Sequence, residues 1–197
     1  NLLTSENPAV VSGVLWALEE MPSSKLQVLD VLPFLESRDD KLRETVYTLA
    51  LRHHEWDAAL ANQFFRWREN WSDGQKSAME SIVPAFLDHP PMRDFLTSLF
   101  TSPDTERQEF GLSLLSESPS KVPFSKEWKP VFVASLAPDA SPDTLSLALD
   151  AALRVETQDL TPHLESLLTS PDLSRIQRVQ ATRALATQDS AISAPAF

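Results

Sequence analysis

The chain has no cysteine and only three glycines, Gly13, Gly74 and Gly111, among 197 residues. Without cysteine there are no disulfides and no thiolate-bound metals, and the compartment is left open. Phosphate-cradling loops, dinucleotide turns and tight β-hairpins rely on glycine for positive φ or close backbone approach. Their scarcity argues against nucleotide-binding and β-rich folds. No apolar run approaches the ~18–20 residues of a membrane span, and no basic-then-apolar leader opens the sequence. Positive charge is short as well: 17 Lys and Arg stand against 28 Asp and Glu, a formal net charge of −11. Phosphate backbones repel a surface of that sign, so nucleic acid is not expected as a partner.

The usual chemical motifs are missing too. There is no Gly-x-Ser-x-Gly elbow. Two histidines four apart with a glutamate between them, the zincin spacing, do not occur. Glu19-Glu20 are sequence neighbours rather than a spaced acid and base. No catalytic, cofactor or metal residue is assigned from these patterns.

What the chain does have is 42% apolar residues and 15 prolines, which fits a globular chain of many short helices with sharp starts. The clearest stretch runs from Leu160 to Gln188. Leu160, Leu164, Leu167 and Leu168 fall at i, i+4, i+7 and i+8, one stripe of a helix. Ser170-Pro171-Asp172 follows. Serine can cap a helix, proline at the first position loses no hydrogen bond, and aspartate faces the positive end of the helix dipole, worth ~0.3–1 kcal/mol. The tripeptide recurs at Ser102-Pro103-Asp104 and Ser141-Pro142-Asp143. Asn7-Pro8 is a weaker copy, and Arg38-Asp39-Asp40 takes the same place without proline. Second helices are therefore expected to start near Pro8, Asp40, Asp73, Pro103, Pro142 and Pro171, about 30–33 residues apart except across Ser118 to Phe124, the one clear insertion.

The intervening segments supply first helices: Leu26 to Glu36 with Pro33 inside, Ala58 to Asn70, Met92 to Phe100, Trp128 to Leu136, and the one opening at Leu160. Val11, Val14, Leu15 and Leu18, then Leu42, Val46, Leu49 and Ala50, are the expected inward stripes of the first two second helices. Met92, Phe95, Leu96, Leu99 and Phe100 make a third stripe. Met21 to Ser24 reads as a turn, and Asp189 to Phe197 as a frayed end or the start of an interrupted unit. Asn1 to Ser5 matches the Leu-Leu-Thr-Ser at Leu167 to Ser170. It is expected to be the tail of a helix, and the chain a fragment of a longer multidomain protein.

These units resemble the HEAT-repeat family of armadillo-type α-solenoids. The residues that carry the resemblance are Leu32-Pro33-Phe34-Leu35, Asp39-Asp40 and Leu42-Arg43, and again Thr161-Pro162, Pro171-Asp172 and Arg178-Val179. The middle units lack the first-helix proline, and Pro84 sits in a second helix. Tetratricopeptide and ankyrin signatures are absent. The resemblance implies an all-α superhelix of about five stacked antiparallel helix pairs plus a half-unit at the start, forming one domain over 1–197. It implies a non-catalytic scaffold that binds protein, peptide or neighbouring domains of its own chain. It also fits a spacer of the kind found in large bacterial multidomain proteins.

One stretch is chemically dense. His53 to Trp71 holds three of the five tryptophans, Trp56, Trp67 and Trp71, with His53, His54, Arg66 and Arg68. Aromatics beside arginine make interface hot spots, so these seven residues are the candidate partner-binding set. The plain alternative is that Trp56 and Trp67 pack between units while the arginines solvate the outside. A HEAT-like DNA alkylation-repair glycosylase uses tryptophan, arginine and aspartate. It is the alternative reading of the cluster, set against the acidic charge. His53 and His54 point about 100° apart on a helix and so do not share a face; His89 and His163 stand alone. Asp139 to Asp172 carries seven acids against Arg154. It reads as a solvated edge of helix caps, or as a docking strip for a basic segment.

Overall fold

The computed structural model describes residues 2–21, 26–171 and 173–189. These form eleven α-helices joined by 3-10 turns, with one pair of two-residue strands, an all-α architecture. The chain divides into two compact units, Asn1–Phe95 and Leu96–Phe197.

The first unit holds α1 (Pro8–Glu19), α2 (Val28–Val31), α3 (Asp40–Arg52), α4 (Asp57–Trp67), α5 (Asp73–Ile82) and the first half of α6 (Pro90–Phe100). Helix α1 packs on α3, and α3 on α5. The α3 stripe Leu42, Val46, Leu49 and Ala50 is buried as expected; of the α1 stripe, Val11 and Leu15 are buried while Val14 and Leu18 are half-buried. Between these helices the hydroxyls of Ser12 and Thr45 lie 2.7 Å apart.

The second unit continues with the rest of α6, then α7 (Thr105–Ser116), α8 (Lys129–Ser135), α9 (Pro142–Ala152), α10 (Thr161–Leu168) and α11 (Arg175–Asp189). Helix α7 packs on α9, and α11 packs on both α9 and α10. Polar links again join α7 to α9 and α9 to α11. Thr144 Oγ1 donates to Glu109 Oε1 at 2.6 Å, and Gln180 Nε2 donates to Asp150 Oδ1 at 2.8 Å.

Helix starts at Pro8, Asp40, Asp73 and Pro142 coincide with the expected ones; α7 and α11 begin later. The reason lies in the caps. In Ser102-Pro103-Asp104 the serine does not cap the helix. Its hydroxyl accepts from the Asp104 N–H at 3.2 Å, and Asp104 caps α7 by accepting from Glu106 N–H at 3.0 Å. Ser37-Arg38-Asp39 takes the same form, with Asp39 accepting from Leu42 N–H, and so does Ser5-Glu6-Asn7 before α1. Ser141 alone behaves as a serine cap followed by proline. For α11 the capping serine is Ser174, paired reciprocally with Gln177, so Ser170-Pro171-Asp172 lies upstream of the cap. The expected capping role of Asp172 falls outside the described residues, as do most of the Met21 to Ser24 turn and the segment after Asp189.

The expected helix from Leu26 to Glu36 is not continuous. It is a single α-turn, Val28–Val31, followed by a 3-10 turn at Leu32–Phe34. Pro33 has no N–H to give and its ring crowds the preceding turn; the tighter 3-10 geometry accommodates both. Pro84 does the same at Val83–Phe86, after α5.

A further departure is at the insertion. Val122–Pro123 (β1) pairs in parallel with Val155–Glu156 (β2), and Val122 N–H donates to Arg154 O at 2.7 Å. Both valines are fully buried. The extra residues are thus fastened to the end of α9 by a β-bridge that no alternating pattern announced.

Gly111 sits in α7 against Leu99 and Phe100 of α6. A Cβ there would meet Phe100 Cε1 at 3.0 Å and Cδ1 at 3.2 Å. Phe100 is 2% exposed and wedged against Trp128 and Phe132, so its ring has nowhere to retreat. Alanine gains up to ~1 kcal/mol of helix propensity, while overpacking costs ~1–3 kcal/mol. We expect Gly111→Val to destabilise the second unit by about 2 kcal/mol in urea denaturation, and Gly111→Ala to fall near zero.

Candidate functional site

A polar cluster of the first unit forms where α3 hands over to α4. Helix α3 stops at Arg52, and His53 leaves helical geometry at φ −107° and ψ 78°. His54–Trp56 then make one 3-10 turn into α4. That abrupt change of path turns His53 and His54 toward different neighbours.

His53 is gripped on both sides. Its Nε2 lies 2.7 Å from Glu19 Oε2, at the last residue of α1, and its Nδ1 lies 2.6 Å from Glu55 Oε1. Its ring stacks on Trp56 with centroids 4.0 Å apart and planes 12° from parallel. Carboxylates only accept, so satisfying both contacts requires an N–H on each ring nitrogen, which is the imidazolium. Burial alone would push the His53 pKa down. The hydrogen bonds to Glu55 and Glu19 outweigh burial, and the value is raised. Glu55 is lowered, chiefly by its hydrogen bond to His53.

His54 turns instead to His89, which is not solitary as its sequence position suggested. His54 Nδ1 and His89 Nε2 are 3.4 Å apart, and His89 Nδ1 is 3.0 Å from Asp57 Oδ2. Phe86 backs both rings, with centroids 5.2 Å from His54 and 5.6 Å from His89. Asp88 Oδ1 lies 3.5 Å from His89 Nε2. Among the described residues no group of three or more His, Asp or Glu side chains is arranged to hold a metal ion.

The seven residues singled out from the sequence do not form one surface. Trp56 and Trp67 are each 7% exposed and belong to the core. Phe64 packs between Trp67 and Phe95, with centroids 5.6 and 5.8 Å away. Arg66 is exposed and Trp71 is half-buried. The Arg68 guanidinium lies 5.7 Å from the Phe65 ring and pairs with Glu69 at 3.1 Å. On the side of α1, Arg52 covers the Trp16 ring at 4.9 Å. The amphipathic pattern of α4 already carried this division: Leu60, Ala61, Phe64 and Trp67 are its buried stripe, and Arg66 lies off it.

Cavities lie elsewhere. A broad open groove of about 680 Å³ runs along the starts of α1 and α3, lined by Pro8, Ser12, Asp39, Asp40 and Lys41 among others. A second, of about 410 Å³, lies in the other unit beside Thr101, Gln108 and Glu127. No helix among the described residues is long and apolar enough to cross a membrane. Compared with protein-family models and with curated proteins, the chain finds no match.

Proposed function

We propose that the chain is a non-catalytic interaction scaffold or spacer built of HEAT-like helical repeats. Its partner is a protein, a peptide or a neighbouring domain of the same polypeptide. The observation that supports this most is the sequence offset shared by most of its long-range polar contacts. Ser12 meets Thr45 at an offset of 33, His53 meets Glu19 at 34, and Asp57 meets His89 at 32. In the other unit Trp128 meets Thr97 at 31, Glu109 meets Thr144 at 35, and Asp150 meets Gln180 at 30. A bundle that wraps back on itself brings widely scattered offsets together; repeats that each touch their neighbours concentrate them near one value.

The turns add to it. Arg43 donates to Ser37 O at 2.9 Å, Gln108 to Ser102 O at 2.7 Å, and Arg178 to Leu168 O at 2.7 Å. A long donor early in each of these second helices ties down carbonyls of the turn before it. This is a physical role for the basic residue on which the family resemblance rested.

The surface left for a partner on the aromatic stretch is Arg66, Arg68 and Trp71. A photo-crosslinking residue at position 66 identifies what binds there, and the purified partner then gives an affinity. We expect Arg66→Ala, Arg68→Ala and Trp71→Ala together to weaken that affinity at least tenfold, as removing hot-spot side chains does, with the melting temperature unchanged. Equal affinity for the triple variant and the parent counts against this surface.

A further inference from the structure

We propose that His54 and His89 form a two-histidine chelate for a first-row divalent cation, with Zn²⁺ the best fit. A tetrahedral ion with metal–nitrogen bonds of 2.0–2.1 Å holds two nitrogens roughly 3.4 Å apart. His54 Nδ1 and His89 Nε2 stand at 3.4 Å. That separation is long for a hydrogen bond, since N–H donors usually sit within ~3.2 Å of their acceptor, but it matches a shared ion.

The protonation pattern also suits a chelate. Asp57 Oδ2 lies 3.0 Å from His89 Nδ1. A carboxylate accepts, so it holds the proton of the neutral ring on Nδ1 and leaves the Nε2 lone pair turned toward His54. A ligand histidine oriented through its other nitrogen by a carboxylate is the arrangement that fixes ring and tautomer at metal sites. Phe86 packs on both rings and limits their rotation. His54 is exposed, so water and the ion reach the site from solvent. Asp88 Oδ1, 3.5 Å from His89 Nε2, adds negative charge without completing a third ligand. Two nitrogens from the chain leave the remaining positions to water, making this an open, exchangeable site. His53 takes no part, because Glu19 and Glu55 hold its two nitrogens in close contacts of 2.7 and 2.6 Å.

The test is calorimetric titration of the whole chain with zinc chloride in a non-chelating buffer. We expect one ion per chain, binding weakened about tenfold or more in His54→Ala and in His89→Ala, and no change in His163→Ala. Asp57→Asn should weaken it by ~10-fold or more, as loss of an orienting carboxylate does. Ring carbon–proton resonances of His54 and His89 in the parent chain should shift together with added zinc while those of His163 stay in place. That readout remains decisive if a variant loses its fold. No uptake at millimolar zinc, or uptake equal in the parent and both histidine variants, overturns the proposal.

Discussion

Trp128→Ala is expected to be the most damaging single substitution in the second unit, costing about 3–5 kcal/mol, the range for emptying a buried aromatic site. Trp128 is 0% exposed and the largest fully buried side chain among the described residues. Its ring meets Phe100 at 5.4 Å and the edge of Phe124 at 6.0 Å, and its Nε1 donates to Thr97 Oγ1 at 2.8 Å. Alanine would leave a void that three neighbouring elements cannot close together. Against the ~5–15 kcal/mol of a typical domain, such a loss brings the unit close to unfolding. Trp128→Phe separates the two contributions, because it keeps most of the ring contact and deletes the hydrogen bond. It should cost about 1–2 kcal/mol. Urea denaturation followed by circular dichroism measures both. Equal midpoints for the alanine variant and the parent would mean that the ring is not a packing centre.

Trp128 shows what was legible in the sequence and what was not. The second helices could be found because each carries its own start signal, and an apolar stripe recurs every three or four residues. Met92, Phe95, Leu96, Leu99 and Phe100 are all buried, as their spacing requires. Those signals are local, involving residues within one or two helical turns. The first helices were harder. Pro33 breaks the stripe it sits in, and the competition between its missing N–H and the apolar pattern ends in a 3-10 turn. The serine-rich turns mislead by two residues: Ser102 resembles a cap, but the short side chain that reaches the helix is Asp104.

The histidine cluster was illegible for another reason. His54 and His89 are 35 residues apart, and His53 and Glu19 are 34 apart. Periodicity within a helix says nothing about such pairs. The spacing of about 30–33 residues between the expected helix starts does bear on them: Asp57 and His89 are 32 apart, and Glu19 and His53 are 34 apart. For the aromatic stretch, composition left a packed and an exposed reading side by side. Counting tryptophans marks a dense region, and only the phase of α4 tells that Trp67 faces in while Arg66 faces out.

The His53 clamp leads to the second large effect, a stability that falls as pH rises through the raised pKa of His53. The folded pKa of His53 is raised over its ordinary value of about 6.5. A group so shifted binds its proton more tightly when folded, so its full contribution is present below the unfolded value. It is lost as pH climbs through the folded one. Deprotonation removes one N–H, and either Glu19 or Glu55 then loses its donor. Glu19, with a side chain only 15% exposed, is the costlier one to strand. On the acid side Glu55 acts in reverse. Its folded value is lowered, so its contribution is present above the ordinary carboxylate range and disappears as pH falls through the folded value. The clamp is whole between these limits. We expect the parent chain to lose about 1–2 kcal/mol across the upper limit, the scale of a charge-assisted hydrogen bond that keeps some solvent. His53→Gln should flatten that slope, and Glu19→Gln should reduce it, while His163→Ala leaves it intact. Urea midpoints at stepped pH values measure it. A slope that survives in His53→Gln would assign the pH response to another group and leave the Glu19–His53–Glu55 bridge without a thermodynamic role.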